Sequence, residues 1–367
     1  MKLRILYFLG TDADRGGAGR ILLNIIRRLD RDRFSPLVMV SREGPITEEM
    51  ARRGIKTRVW GAKDPAGFLA RGRRLLQALA LYRGERPAVI HMNNGCLGWK
   101  PAEIPAAWLS RIPVIVHFQR ITHNVSPYLR FATLGLTCSE YVARHSDLGG
   151  LPAQALYDTV DEERFASGNN LRAELGLSHD HVVLSFVGRA RRSKGLEAFV
   201  NLADYLPDPN LRFLIATQKA GRTEDSYTME EVEALAARDP RVLLAGYRPD
   251  AESVYQTSDI VVMPSEGEEP CAAVILEAGA AAKPVVATRT GSTPELIEDG
   301  TNGILVNKGD LSEMSARLRP LLDDAALRIE MGRNALERIR ERHTSAPVRK
   351  VEGLYQSLGR SRPPAKN

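Results

Sequence analysis

His181-Val182-Val183-Leu184-Ser185-Phe186-Val187 runs directly into Gly188-Arg189-Ala190-Arg191-Arg192-Ser193-Lys194-Gly195, and a helical pattern follows over residues 196–205. The apolar run is continuous rather than alternating, which marks a strand covered on both faces and therefore a parallel sheet. The basic, glycine-bounded loop then falls at the carboxyl end of that strand, where open α/β sheets bind their ligands.

The same alternation recurs in both directions. Upstream, short apolar runs stand at 3–9, 37–40, 88–91, 113–118 and 134–138; downstream they stand at 211–216, 242–245, 260–263, 284–287 and 303–306. Between them lie amphipathic stretches of helical length, such as 19–29, 68–82 and 272–282. The pattern restarts after a polar segment at 161–180, read as a linker with one short helix. The expected fold is α/β: two Rossmann-like doubly wound domains facing across a cleft. Their boundaries are drawn at 1–165 and 166–343, with a helix at 344–358 returning to the first domain and a frayed basic tail at 359–367.

A chain of 367 residues suits two cores, and 43% hydrophobic with 26% charged residues describes a globular protein. Three cysteines, Cys96, Cys138 and Cys271, form no C-x-x-C pair, which argues against disulfides and zinc and fits a reducing cytoplasm. The apolar N-terminus is short and interrupted by Arg4, so it reads as a first buried strand rather than a leader. Residues 1–160 carry a formal charge of +11 and residues 161–367 carry −5. Charge alone leaves nucleic acid, an anionic membrane or a plain solvated surface open for the basic half. The stretch at 68–79 adds a local signal for the membrane: Arg71, Arg73 and Arg74 beside Phe68, Leu69, Leu75, Leu76 and Leu79 read as a basic amphipathic helix. A peripheral site on the inner face of the plasma membrane is expected, and no nucleic-acid partner. A sheet-covering helix needs the same apolar stripe and is the competing reading.

Several groups carry chemistry. Gly16-Gly17-Ala18-Gly19-Arg20 joins the first strand to a helix, where glycines admit a ligand to backbone N–H groups and the helix terminus favours an anion. Leu22 breaks a dinucleotide fingerprint, so a plain tight turn is an equal reading. Asp12-x-Asp14 and Asp30-x-Asp32 read as solvated carboxylates, and no metal is expected. Arg189, Arg191, Arg192 and Lys194 suit a diphosphate, and Arg189 and Lys194 are expected to be exposed. Glu269 lies in a loop and Glu277, seven intervening residues on, in an otherwise apolar helix where an unpaired carboxylate is costly.

These residues together resemble glycosyltransferase family 4. The resemblance rests on Gly188-Arg189, Lys194-Gly195, Asp259, Pro264-Ser265, Glu269-x7-Glu277, Lys283-Pro284 and Gly291-Ser292-Thr293-Pro294-Glu295. In the first half it rests on Gly16-Gly17, Val116-His117, Cys138-Ser139-Glu140 and Leu156-Tyr157-Asp158-Thr159-Val160-Asp161. It spans about residues 3–355 and implies the GT-B fold and a retaining transfer of sugar from a nucleotide-diphosphate donor, UDP or GDP, with no cofactor. It implies that Arg189, Lys194, Gly16 and Gly17 hold the donor diphosphate, and that Glu277, Tyr247 and Arg248 hold the nucleoside. It further implies that Ala272, Ala273 and Val274 face the sugar through their backbone, with Glu269 and His117 at the reacting centre. The acceptor is expected to be a glycan, lipid-linked, in surface polysaccharide or glycoconjugate synthesis; a soluble small-molecule acceptor and a nucleotide-sugar epimerase are the alternatives. Cys271-Ala272 stands where the family commonly has an aromatic residue and glycine, and Asp158-Thr159 replaces Asn-Gly. These departures bear on which sugar is carried.

Overall fold

The computed structural model describes residues 2–9, 17–61, 67–93, 102–123, 125–218 and 223–360. The chain forms two compact units, Met1–Thr159 with Ser345–Asn367, and Val160–Thr344. The first holds a parallel sheet of β1 (Leu3–Leu9), β2 (Phe34–Val40), β3 (Lys56–Val59), β4 (Val89–Asn93), β5 (Val114–Phe118), β6 (Leu134–Thr137) and β7 (Ala153–Ala155). Its order is β3-β2-β1-β4-β5-β6-β7. The second holds β8 (Val182–Arg189), β9 (Leu211–Gln218), β10 (Val242–Gly246), β11 (Ile260–Met263), β12 (Val285–Thr288) and β13 (Ile304–Val306), in the order β10-β9-β8-β11-β12-β13. Each order reverses once, between β1 and β4 and between β8 and β11. These are the switch points beside which doubly wound sheets open a crevice at their carboxyl ends. Two Rossmann-like parallel sheets are therefore present, as the apolar runs predict.

The apolar runs become strands because their side chains are buried on both faces. On β1, Ile5, Leu6 and Tyr7 are all fully buried. In the first unit this core includes Leu22 and Ile26 from the helix Gly17–Arg28, and Val348, Val351 and Tyr355 from the helix Ala346–Arg360. Burial of a side chain of Val351's size stabilises by roughly 1.5–3 kcal/mol. The C-terminal helix is thus an integral layer of the first unit.

Three boundaries differ from those expected. Residues 160–165 belong to the second unit, because Val160 and Phe165 pack with Tyr255, Ile275 and Leu276. The last helix runs to Arg360, so Gly359 is helical rather than frayed. Strands β3 and β7 were not anticipated: β3 is the largely exposed edge segment Lys56-Thr57-Arg58-Val59 and β7 has three residues. Charged, short edge strands lack the continuous apolar signal of a buried strand. No helix among the described residues is long and apolar enough to cross a membrane.

Candidate functional site

In the second unit, β8 ends at Arg189 and β11 is followed by Pro264-Ser265, so the basic loop and the acidic loop flank one switch point. The turn Arg192–Lys194 closes on Gly195, whose φ is +73°. A Cβ there would sit 1.9 Å from the Pro264 carbonyl oxygen, so only glycine lets the turn meet the β11 loop. Asp225 holds the turn from the other side, accepting from the Ser193 backbone N–H at 2.8 Å and from its hydroxyl at 2.7 Å. These bonds and the nearby Arg191 and Arg192, against the opposing effect of desolvation, hold the Asp225 carboxyl below its ordinary range.

Lys194 does not project freely. Its Nζ donates to both oxygens of Glu269 at 2.7 Å, and Ser265 donates to Oε1 at 2.6 Å. Glu269 is 4% exposed and the Lys194 side chain 29%. This corrects the expectation that Lys194 is exposed: a buried carboxylate draws the ammonium down, because an unpaired buried charge is expensive. Two residues assigned to different parts of the donor, Lys194 and Glu269, are thus one ion pair. The Glu269 backbone is fixed as well, its carbonyl accepting from Ser292 N–H at 2.8 Å. Gly291, at φ +56°, leaves no room for a Cβ, which would lie 2.2 Å from that carbonyl oxygen.

Arg189 is exposed and forms no ion pair among the described residues. Its guanidinium pKa is pushed down, first by desolvation and then by neighbouring Arg191, with Glu269 and Asp225 only partly offsetting this. Arg189 and Arg191, the latter 4.0 Å from Asp225, thus place two guanidiniums at the carboxyl end of β8, a local charge that favours an anion. Nearby, the helix Ala273–Ala280 begins with no side-chain cap and no acidic residue in its first turn. Ala272 before it is buried, Ala273 exposed and Val274 half-buried.

Glu277 is not an unpaired carboxylate. Tyr255, fully buried on the helix Ala251–Thr257, donates to its Oε2 at 2.7 Å. Arg164 lies close enough for the Glu277 charge to act on it. Tyr247 presents an exposed ring after β10, while Arg248 is engaged by Glu174 at 2.9 and 3.2 Å. In strand order β10 is separated from β8 by β9, so Tyr247 and Arg248 stand off from Arg189 along the sheet. Asp225 and Tyr255 are the supporting residues that motif spacing missed, and Ser265, part of the Pro264-Ser265 motif, gains a role that the motif did not assign.

In the first unit, His117 sits at the carboxyl end of β5 beside Asn93 of β4 and is fully buried. Neither ring nitrogen has a hydrogen-bond partner among the described residues. Burial lowers its pKa to about 4, so the imidazole is neutral at physiological pH. Gly17 opens the helix Gly17–Arg28; Gly16, Asp12, Asp14 and Cys96 lie outside the described residues. Asp30 and Asp32 cap a turn, with Asp32 N–H donating to Asp30 Oδ1 at 2.9 Å.

In comparison with known proteins, each half matches a glycosyltransferase family. Residues 181–324 match the family described as Glycosyl transferases group 1, and residues 16–167 match the Glycosyl transferase 4-like domain. The D-inositol 3-phosphate glycosyltransferase of Corynebacterium kroppenstedtii is 36% identical over 216 residues, covering 56% of this chain and 48% of that protein. The chain thus spans about half the length of that relative. The sulfoquinovosyl transferase SQD2 of Arabidopsis thaliana is 26% identical over 91% of this chain and 69% of its own length. Among solved structures, Alr3699/HepE of Anabaena, crystallised with UDP and glucose, aligns with a TM-score of 0.79 at 22% identity over 97% of this chain and 99% of its own.

The buried histidine has a consequence for stability. Unfolded histidine titrates near pH 6.5 and His117 near 4. Its neutral form therefore contributes fully above pH 6.5, and stability is lost as pH falls from 6.5 towards 4. About 2 kcal/mol of a total of roughly 3 is gone by pH 5. Urea unfolding of the first unit's core at pH 7 and pH 5 should show His117→Leu gaining on the wild type by about that amount. An equal gap at both pH values would refute the burial of a neutral imidazole.

Proposed function

This chain belongs to the glycosyl transferases, and on that footing we propose that it moves a sugar from a nucleoside-diphosphate donor to an acceptor hydroxyl with retention of configuration. The observation that carries the reading is the Arg189–Arg191 pair at the carboxyl end of β8, where Arg189 is exposed, forms no ion pair among the described residues and is short of negative charge. A diphosphate supplies that charge, and the uncapped N-terminus of Ala273–Ala280 adds to the same field; Lys194, already paired with Glu269, is assigned to the diphosphate as a hydrogen-bond donor. Glu277 is assigned to the ribose hydroxyls, with its carboxylate held in place by Tyr255. Tyr247 and Arg248 are assigned to the base, and the Ala272–Val274 backbone and Glu269 to the sugar. Gly16 and Gly17 are assigned to the diphosphate from the first unit, and neutral His117 to the sugar near the reacting carbon. The donor nucleotide on this reading is UDP or GDP.

The chemistry follows from charge. As the glycosidic C–O bond to the diphosphate breaks, negative charge grows on the leaving oxygen, where cations fixed in advance act most strongly. The leaving phosphate oxygen takes the proton of the incoming hydroxyl on the same face of the sugar, so the anomeric configuration is kept. The assignment calls for no metal, because guanidinium and ammonium groups carry the positive charge.

For the acceptor we favour a lipid-linked glycan of a surface polysaccharide or glycoconjugate, reached at an anionic membrane. The support is the helix Phe68–Glu85, where Phe68, Leu69 and Leu76 are 90%, 87% and 68% exposed and Arg71, Arg73 and Arg83 are exposed beside them. The helix buries Ala78 and Tyr82 against the unit, not these larger side chains. A sheet-covering stripe would have buried them, so the competing reading accounts for only part of the helix. A soluble acceptor is the second reading, favoured by the name of the inositol-phosphate relative.

Arg189→Ala should lower kcat/KM for the donor by about a hundredfold while leaving thermal stability unchanged, because the side chain is exposed and unpaired. Lys194→Ala should lose both activity and stability, since it strands buried Glu269. Normal steady-state kinetics in Arg189→Ala would overturn the diphosphate assignment.

Each basic residue at an anionic bilayer adds about 1 kcal/mol, so the exposed arginines and apolar side chains of Phe68–Glu85 should suffice for attachment. Co-sedimentation at low salt should show binding to vesicles containing phosphatidylserine, weakened by added salt and by Leu69→Ser with Leu76→Ser. Equal pelleting with neutral vesicles, or none with either, would leave the soluble acceptor as the answer.

A further inference from the structure

Four polar rings line one face of the first sheet. Tyr7 and His91 are register partners on β1 and β4. His91 pairs with Ile115, two residues before His117 on β5, so strand alternation places Tyr7, His91 and His117 on the same face. Tyr355, from the helix Ala346–Arg360, covers them, with its hydroxyl 2.6 Å from His91 Nδ1. The His91 ring centroid lies 5.4 Å from that of Tyr7 and 5.6 Å from that of His117. All four side chains are fully buried.

Aliphatic residues would fill such positions without the desolvation cost that imidazole and phenol groups carry. The row runs from the sheet interior to the carboxyl end of β5, where His117 has no hydrogen-bond partner of its own among the described residues. The Tyr355–His91 bond also has a preferred direction. If Tyr355 donates, His91 carries its proton on Nε2 and only that N–H lacks a partner among the described residues. If His91 donates instead, its Nε2 lone pair goes unmet and the Tyr355 proton turns to the Tyr7 hydroxyl, whose own proton is then left without an acceptor. The first arrangement is favoured, and burial keeps the phenol protonated by raising its pKa.

The geometry points to Tyr355 and His91 as positioning residues for His117: the phenol fixes the tautomer and plane of His91, and His91 packs against the His117 ring and fixes its orientation at the carboxyl end of β5. The inference rests on the reading that His117 meets the transferred sugar. It gives the C-terminal helix a part in the reaction beyond packing.

Tyr355→Phe keeps the ring and removes only the hydroxyl. It should lower kcat about tenfold with donor KM within about twofold, and move the ring 15N resonances of both His91 and His117. In the wild type, His91 should show a single Nε2–H tautomer. Unchanged kcat with unchanged His117 resonances in Tyr355→Phe would overturn the inference, as would a wild-type tautomer mixture at His91, a readout that stands even where the variant folds poorly. His117→Ala separates the two readings: normal turnover there would remove His117 from the reaction itself, whereas a normal Tyr355→Phe beside an impaired His117→Ala would remove only its positioning.

Discussion

The second unit is organised around a buried carboxylate. Glu269 is almost wholly removed from water, and such a charge persists only where partners surround it. Lys194 and Ser265 supply these partners at its oxygens, and Ser292 N–H binds its carbonyl. Lys194 reaches it only because Gly195 lets the β8 loop press against Pro264, and the 290s loop reaches it only because Gly291 has no side chain. One desolvated charge therefore sets the positions of three loops following β8, β11 and β12.

That constraint also explains why Arg189 is available. Glu269 is occupied by Lys194, and Asp225 is occupied by Ser193, so the two nearest carboxylates give Arg189 only partial compensation. The loop thus holds fixed positive charge against fixed, already engaged negative charge. A site of this kind needs little reorganisation when an anion arrives, which is the condition under which electrostatic stabilisation of a leaving group is strongest. The first unit differs in character, since His117 is buried and neutral and has no hydrogen-bond partner among the described residues. It suits a sugar hydroxyl better than a phosphate.

Much of this was legible in the residues. Continuous apolar runs gave eleven of the strands their places, and the basic loop after the run at 181–187 fell at the switch point because strand order and loop chemistry obey the same rule. The edge strands escaped because Lys56 and Arg58 break the apolar signal. What periodicity did not carry was pairing. Lys194 and Glu269 lie 75 residues apart, and His91 and Tyr355 lie 264 apart. Such contacts follow from which strands and helices become neighbours, and no local spacing encodes them. The partner of Glu277 was missed for the same reason: Tyr255 stands on the preceding helix, and only packing brings it to the carboxylate.

The claim at the centre is that the end of β8 is a diphosphate site. Calorimetric titration of the full chain with UDP, GDP and the corresponding nucleosides at two salt concentrations tests it most directly. At least one diphosphate should bind about a hundredfold or more tighter than its nucleoside, since two phosphates add charge-assisted bonds worth roughly 1.5–3 kcal/mol each. That advantage should shrink as salt is raised. Nucleosides binding as tightly as their diphosphates, or an affinity indifferent to salt, would contradict the account.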